Sequence, residues 1–516
     1  MHMTGEISMT NGEYALNVGN ELGRCIVDAG DITATNTGKA GNYNYAAVQA
    51  TSKDGITELN MKDLKCLGDT FVGLRLRCDY PDASSKLKVR AQDISMESKD
   101  GLYGGYGLDG YVSGDMNEIQ VTVGKISALG YGVNFISSEP DPENPARLNI
   151  GDISDAQFNV LKAAGEMYAD LGKINSPNQG LNLSNTVSGR IGKLGVTAAS
   201  ITGGKSSAVD ITGKIDGSDP DKIIDLTVNG DMISTMSDAV MLHGDGAADI
   251  LVKGTVSGAA NGFNGTQGAY EHTRLTTWKI SYGAEDENAN MFNLSDGSGN
   301  NDAFKGNVSY IVKSVEGLTV TKEDGTQLDE SHDLPVAKEG DKLYVSTASM
   351  DSCWKLVNGT GAAQEDLQQD DHGYYYIVKA GGGIDFHFAD NHDYQFFEPF
   401  AWTGNTETGY TAAEASYVCS RNSEHVITAP ATIAEEVTKA TFTENGFTRY
   451  TATVEASDSP DGQLHREFKD AKAILKVDNI KLEKTSYTYT GKAIEPVVTI
   501  GDANRPIPSD SYAVTY

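Results

Sequence analysis

The sequence predicts an all-β chain: a parallel β-helix, or solenoid, followed by small β-sandwich modules. Three observations carry that expectation. First, a short alternating apolar run, ending in a small or polar pair and then an aliphatic residue, recurs through the first 256 residues. Its anchors are Ile7, Ile32, Leu64, Ile94, Ile126, Ile153, Ile174, Ile201, Met232 and Val256. The steps lie between 21 and 32 residues with a mean of about 28, a period that marks stacked architectures rather than one compact core. Second, 57 glycines stand against 13 prolines with no collagen triplet, as many tight turns between short strands require. Third, the grammar changes near residue 307 to short strands divided by Gly and Asn/Asp turns.

Residues 4–265 are assigned to the solenoid. Before each anchor, apolar residues fall three or four positions back and again two further back, as in Val121, Val123 and Ile126, or Val89, Ala91 and Ile94. Alternation with period two means a strand with one buried face, and the odd offset before the anchor marks a corner. A second apolar run follows in several repeats: Val72, Leu74 and Leu76; Val133 and Phe135; Ala239 and Met241. The stretch from Ala156 to Leu171 also fits an amphipathic helix, with Phe158, Leu161, Tyr168 and Leu171 on one face. The phase of Met167, Ala169 and Leu171 before Ile174 matches the other coils, so strand is expected. Residues 266–306 are expected to connect or cap.

The segment 307–390 alternates at Val308, Tyr310 and Val312. It continues through Val336-Ala337-Lys338-Glu339-Gly340-Asp341, Leu356-Val357-Asn358-Gly359 and Asp371-His372-Gly373-Tyr374-Tyr375-Tyr376. This pattern resembles the B-repeat-like modules of Gram-positive surface proteins. Residues 397–476 carry Phe400-Ala401-Trp402, Gly409-Tyr410-Thr411-Ala412, Cys419 with His425, and Thr441-Phe442-Thr443-Glu444-Asn445-Gly446. They resemble a small β-rich module repeated in large surface proteins of gut-dwelling Firmicutes. There the position of Phe442 is often a cysteine that would partner Cys419; this chain departs from the pattern. Residues 478–516 resemble the opening half of a bacterial Ig-like domain whose closing strands are absent, so weak ordering is expected there. The resemblance as a whole implies a modular cell-surface protein of gut Firmicutes, extracellular, secreted or attached to the cell wall. Such bacteria carry proteins that capture immunoglobulin as B-cell superantigens.

Bulk properties narrow the function. The net charge of −31 repels nucleic acid and anionic lipid. No apolar run approaches 18 residues, so direct membrane insertion is not expected. Met1-His2-Met3 reads as an added start, and the pattern stops in mid-course at Tyr516, so a piece of a longer protein is expected. Five cysteines (Cys25, Cys66, Cys78, Cys353, Cys419) form no disulfide framework and no CxxC pair. Cys66 and Cys78 read as small buried side chains.

No catalytic residue, metal ligand or cofactor is assigned. Walker and polygalacturonase-like signatures are missing, and His243-Gly244-Asp245-Gly246 reads as a turn. The oxygen-rich runs Asp216–Asp221 and Asp296–Asp302 follow no EF-hand loop and read as Asp/Gly/Ser turns. The candidate site is aromatic: Tyr43 and Tyr45 in GNYNY, and Tyr103, Tyr106 and Tyr111 in GLYGGYGLDGY. Tyrosine among Gly and Asn is the chemistry of recognition loops, and loops at like phase project from one side. The same rings would alternatively shield turn backbones. The expected function is adhesin-like, non-catalytic recognition of a host glycoprotein or glycan through the β-helix. The rivals are a carbohydrate-active β-helix enzyme (polysaccharide lyase or glycoside hydrolase) and a stalk without ligand.

Overall fold

The computed structural model describes residues 5–36, 46–68, 72–78, 81, 84–97, 105–113, 116, 118–138, 145–283, 289–441, 444–474, 480–502 and 505–516. Strand accounts for 61% and helix for 3%, and the first part of the chain winds into a β-solenoid of about 9 turns. Two parallel sheets run its length. Each repeat anchor pairs in register with the next: Ile7 with Ile32, then Leu64, Ile94, Ile126, Ile153, Ile174, Ile201, Met232 and Val256 in unbroken succession. From Ile32 onward these side chains are at most 1% exposed.

Packing explains why glycine follows the anchor on the next strand in several rungs. Gly73, Gly107, Gly132, Gly180 and Gly262 stand where the chain enters the second sheet. A Cβ at Gly107 would lie 2.5 Å from Ile126 Cγ2, and one at Gly132 would lie 2.5 Å from Ile153 Cγ2. Gly180 meets Ile201 and Gly262 meets Ile280 in the same way, at 2.7 and 3.0 Å. The anchor methyl fills the space that a side chain would need, so the interior is close-packed at this corner. Glycine is also required at the corner before the anchor. A Cβ on Gly151 would stand 1.7 Å from the Gly124 carbonyl oxygen. Beside it, Asp152 accepts the Lys173 N–H of the next rung at 2.9 Å, and Asp231 accepts the Thr255 N–H at 2.7 Å.

The stretch with helical periodicity is two strands, Phe158–Ala163 and Glu166–Ser176. Met167, Ala169, Leu171 and Ile174 lie beside Leu194, Val196, Ala198 and Ile201. Cys66 belongs to the first sheet and Cys78 to the second; both are buried and neither is in a disulfide, and burial pushes the Cys66 thiol up to about 12.

The ladder does not stop at residue 265. Thr273–Ser281 extends the first sheet, with Ile280 beside Val256, and Phe292–Leu294 extends the second. This rung is disguised because Thr273 and Thr277 occupy inward slots. Their hydroxyls are satisfied by the carbonyls of Ala269 at 2.8 Å and Gly254 at 3.2 Å. Phe263, Tyr270, Phe292 and Phe304 then cluster at ring separations of 4.8–6.1 Å. Val308–Ser314 continues the first sheet through Leu275 and Val308, and pairs antiparallel with Leu334–Ala337. Accordingly, Met1–Ala348 and Leu356–His387 form one compact unit.

The second unit comprises Ser349–Lys355 and Phe388–Tyr516. It holds three small antiparallel sheets, consistent with Ig-like modules. The first is Tyr394–Asn405, Gly409–Cys419 and Asn422–Pro430; the second is Thr432–Thr438, Gly446–Val454 and His465–Ile474. Phe400, Ala413, Ala415, Tyr417, Ala429, Ala452 and Val454 form a core that draws on both. Ile480–Leu482, Val498–Asp502 and Arg505–Pro506 form the third, and Phe442 lies outside the described residues.

Truncation of one anchor should be felt along the rod. We expect Ile153→Ala to cost about 2–5 kcal/mol, and Gly132→Val to lower the thermal midpoint at least as far. Thr122→Ala, at an exposed outward position, should stay within about 0.5 kcal/mol. Calorimetry checks all three, and an unchanged midpoint for Gly132→Val would contradict the packing described.

Candidate functional site

Tyr43, Tyr45 and Tyr103 lie outside the described residues. Tyr106 opens the strand Tyr106–Val112 and stacks on Tyr131 of the next rung, with centroids 4.6 Å apart and planes 17° from parallel. Tyr131 in turn packs on Phe158 at 5.3 Å. The three rings pair in register and are half-buried, so the stack runs along the edge where the chain enters the second sheet. Tyr111 is five positions further on, and its parity puts it on the outer face with Asp109. The Arg77 guanidinium lies 5.8 Å from its ring centroid. Arg77 also donates to buried Asp109 at 2.7 Å, with Asn134 donating to the other oxygen at 2.9 Å. The groups around Tyr111 satisfy one another.

A better-formed surface lies on the outer face of the first sheet. The strands are Lys86–Glu97, Glu118–Ser127, Ala146–Ile150 and Glu166–Ser176. Parallel register aligns their outward residues in two columns: Lys88, Gln120, Arg147 and Tyr168, and beside them Arg90, Thr122, Asn149 and Asp170. Strands stand about 4.8 Å apart and alternate residues about 6.6–6.8 Å apart, so these side chains form a regular lattice. Gln120, Thr122, Arg147, Asn149, Tyr168 and Asp170 line a shallow cleft of about 210 Å³. Tyr168 is held from both sides. The Arg147 guanidinium lies 5.2 Å over its ring, and the ring covers Gly195, where a Cβ would stand 2.6 Å from Tyr168 Cδ1. The cleft therefore offers one fixed aromatic face, a planar cation, two amides, a hydroxyl and a carboxylate. This donor and acceptor set suits a polyhydroxylated ring.

Neighbouring charges are locally basic. Lys86 and Lys88 both grip Glu118, at 3.3 and 2.9 Å. Partial burial pushes the Glu118 carboxyl up, but the hydrogen bonds and charges of Lys88 and Lys86 outweigh it and hold it below the usual carboxylate range.

A second cleft, of about 220 Å³, is lined by Asp249, Arg274, Thr276, Asn307, Ser331 and Lys338 among others. Asp225 and Asp249 are register neighbours on adjacent rungs. Burial lifts the Asp225 carboxyl above its ordinary value, and the Asp249 charge adds to this against the opposing pull of Lys193. Asp249 is itself approached by His332 at 3.6 Å and Arg274 at 4.0 Å.

The oxygen-rich runs close their own turns. Asp216 accepts from Ser218 N and Oγ at 3.0 and 2.6 Å and from Lys222 at 3.0 Å, and Asp296 accepts from Ser298 N and Oγ at 2.9 and 2.6 Å. In His243-Gly244-Asp245-Gly246 the first two residues end the strand Val240–Gly244 and the turn begins at Asp245, with φ of +69° at Gly244 and +81° at Gly246. Among the described residues, no helix is long and apolar enough to cross a membrane.

Attention to the apolar phase alone passes over Arg147 and Tyr168. Both stand six positions before their anchors, as do Lys88 and Gln120, and Asn149 and Asp170 stand four before. The polar residues at constant phase were the available signal.

No family model, curated protein or solved structure matches this chain. Its fold places it among β-solenoid proteins, a class that holds both enzymes and non-enzymes.

Glu118 gives a pH test of the described charge network. A carboxyl held below its unfolded value stabilises the fold above that value, and the contribution is lost as pH falls through the folded value. Glu118→Gln should therefore cost up to about 1 kcal/mol at neutral pH. The difference should vanish below the ordinary carboxylate range, as chemical denaturation across pH would reveal.

Proposed function

We propose that this chain is a non-catalytic, adhesin-like recognition protein of the bacterial surface, acting outside the cell. On this reading the solenoid presents its outer face to a host glycoprotein or glycan. The cleft around Arg147 and Tyr168 is the observation that carries it: a fixed ring and a cation flanked by amides, at spacings set by the β-lattice. The cleft is open and smaller than the roughly 300–1,000 Å³ common for enclosed small-molecule sites, which favours a segment of a larger ligand laid across it. Among the described residues one carboxylate, Asp170, lines it, whereas glycosidic hydrolysis ordinarily uses two. The sequence resemblance to surface proteins of gut Firmicutes supports the cellular setting and makes immunoglobulin one glycoprotein to test.

Binding of the full chain to arrayed host glycans, mucin and immunoglobulin is the direct measurement. A saturable interaction weakened about tenfold or more, about 1.4 kcal/mol, by Arg147→Ala or Tyr168→Ala is expected. Binding indifferent to both substitutions would reject this face as the site, and no binding to any of the three would favour a stalk without ligand.

The second reading is a carbohydrate-active enzyme, favoured by Asp225 and Asp249 on adjacent rungs beside a cleft. Strand spacing alone sets their backbones about 4.8 Å apart, and burial keeps Asp225 inclined to hold a proton. Release of reducing or unsaturated ends from polysaccharides, abolished by Asp225→Asn or Asp249→Asn, would establish it.

A further inference from the structure

The second unit gathers two cysteines and two histidines. Cys353 lies on the short segment Ser349–Lys355, and His392, Cys419 and His425 lie on or between the strands that follow. Ligand atoms of Cys353, His392 and His425 all fall within 4.8 Å of one another. The Cys419 sulfur adjoins this group through Cys353, at 3.4 Å from its sulfur. Both thiols are buried and free.

The histidines are aimed from behind. Asp390 lies 2.5 Å from His392 Nδ1 and also accepts the His392 backbone N–H at 2.8 Å. The ring is fixed further by Tyr394, stacked at 5.1 Å and 5° from parallel, and by the edge of Trp354 at 5.9 Å. On the other side, Asp351 lies 3.7 Å from His425 Nε2. The same Asp351 accepts the Cys353 backbone N–H and the Asn422 side-chain amide, each at 2.9 Å. The inner nitrogens, His392 Nε2 and His425 Nδ1, face each other at 2.9 Å. Asp390 takes the outer N–H of His392, so His392 Nε2 accepts and His425 Nδ1 donates the hydrogen bond between the rings, while the Asn422 amide lies 3.4 Å from His425 Nε2. A shift of the His425 proton to Nε2, on the side of Asp351, would turn both inner nitrogens to one point, and carboxylates behind the imidazoles are the usual support of metal-bound histidine.

We propose that Cys353, Cys419, His392 Nε2 and His425 Nδ1 form a structural zinc site. Two thiolates and two imidazoles are the donor set that borderline-soft Zn²⁺ takes in tetrahedral structural sites. Thiolate–zinc bonds of about 2.3 Å imply a sulfur–sulfur edge of roughly 3.8 Å, whereas a disulfide needs about 2.05 Å. The observed 3.4 Å lies near the former. Binding releases the thiol protons to solvent as the two thiolates coordinate, so no redox change is involved. The ion would tie the segment around Cys353 to the first sheet of its own unit.

The test uses the full chain, incubated with zinc and desalted without reducing agent. About one equivalent of zinc per chain is expected by elemental analysis. Cobalt substitution should give the intense visible absorption of a tetrahedral thiolate site, lost in Cys353→Ser and in His392→Ala but kept in Cys66→Ser. Because a variant can fail to fold, thiol alkylation read by intact mass provides a second measurement on the unaltered chain. Chelator alone should expose two further thiols and lower the thermal midpoint. A mass two hydrogens short, marking a Cys353–Cys419 disulfide, would overturn the proposal. So would negligible zinc with both thiols freely alkylated.

Discussion

The solenoid depends on one contact repeated along its axis: an aliphatic anchor whose γ-methyl occupies the place of a missing side chain on the strand across the interior. Ile126 over Gly107 and Ile153 over Gly132 are the clearest pairs. A core packed this closely has no alternative packing to relax into, since interiors are already close-packed. Its backbone polar groups are satisfied because each rung bonds to the rungs above and below. Where polar side chains do enter, as with Thr273 and Thr277, they bond carbonyls directly.

That contact explains what the sequence made legible. An anchor must be aliphatic and must recur once per turn, so its period survives variation in everything between. All ten expected anchors pair in one unbroken series. The same logic separated strand from helix at Ala156–Leu171, where phase relative to the anchor outweighed local periodicity. Ile280 was hidden because threonine filled its neighbouring inward slots, and threonine is ambiguous between core and surface.

The candidate sites were less legible, for reasons that differ. Arg147 and Tyr168 belong to adjacent rungs, and only register makes them neighbours; a polar column leaves no apolar signal. Cys353 and Cys419 stand 66 positions apart in the chain, and neither cysteine carries a short-range metal motif. Net charge misled in another way. The chain is strongly acidic overall, yet Lys86, Lys88, Arg90 and Arg147 collect on one stretch of one sheet. Screening at physiological salt confines each charge to about 8 Å, so a ligand resting there responds to that stretch rather than to the total.

The uneven repeat length also has an evolutionary meaning. Steps of 21 to 32 residues all deliver the next anchor to the same register, so insertions and deletions between rungs leave the scaffold's mechanics intact. Selection can therefore lengthen, shorten or exchange the lateral segments almost independently of stability. Such tolerance makes the solenoid a chassis whose lateral segments can diversify without refolding the frame.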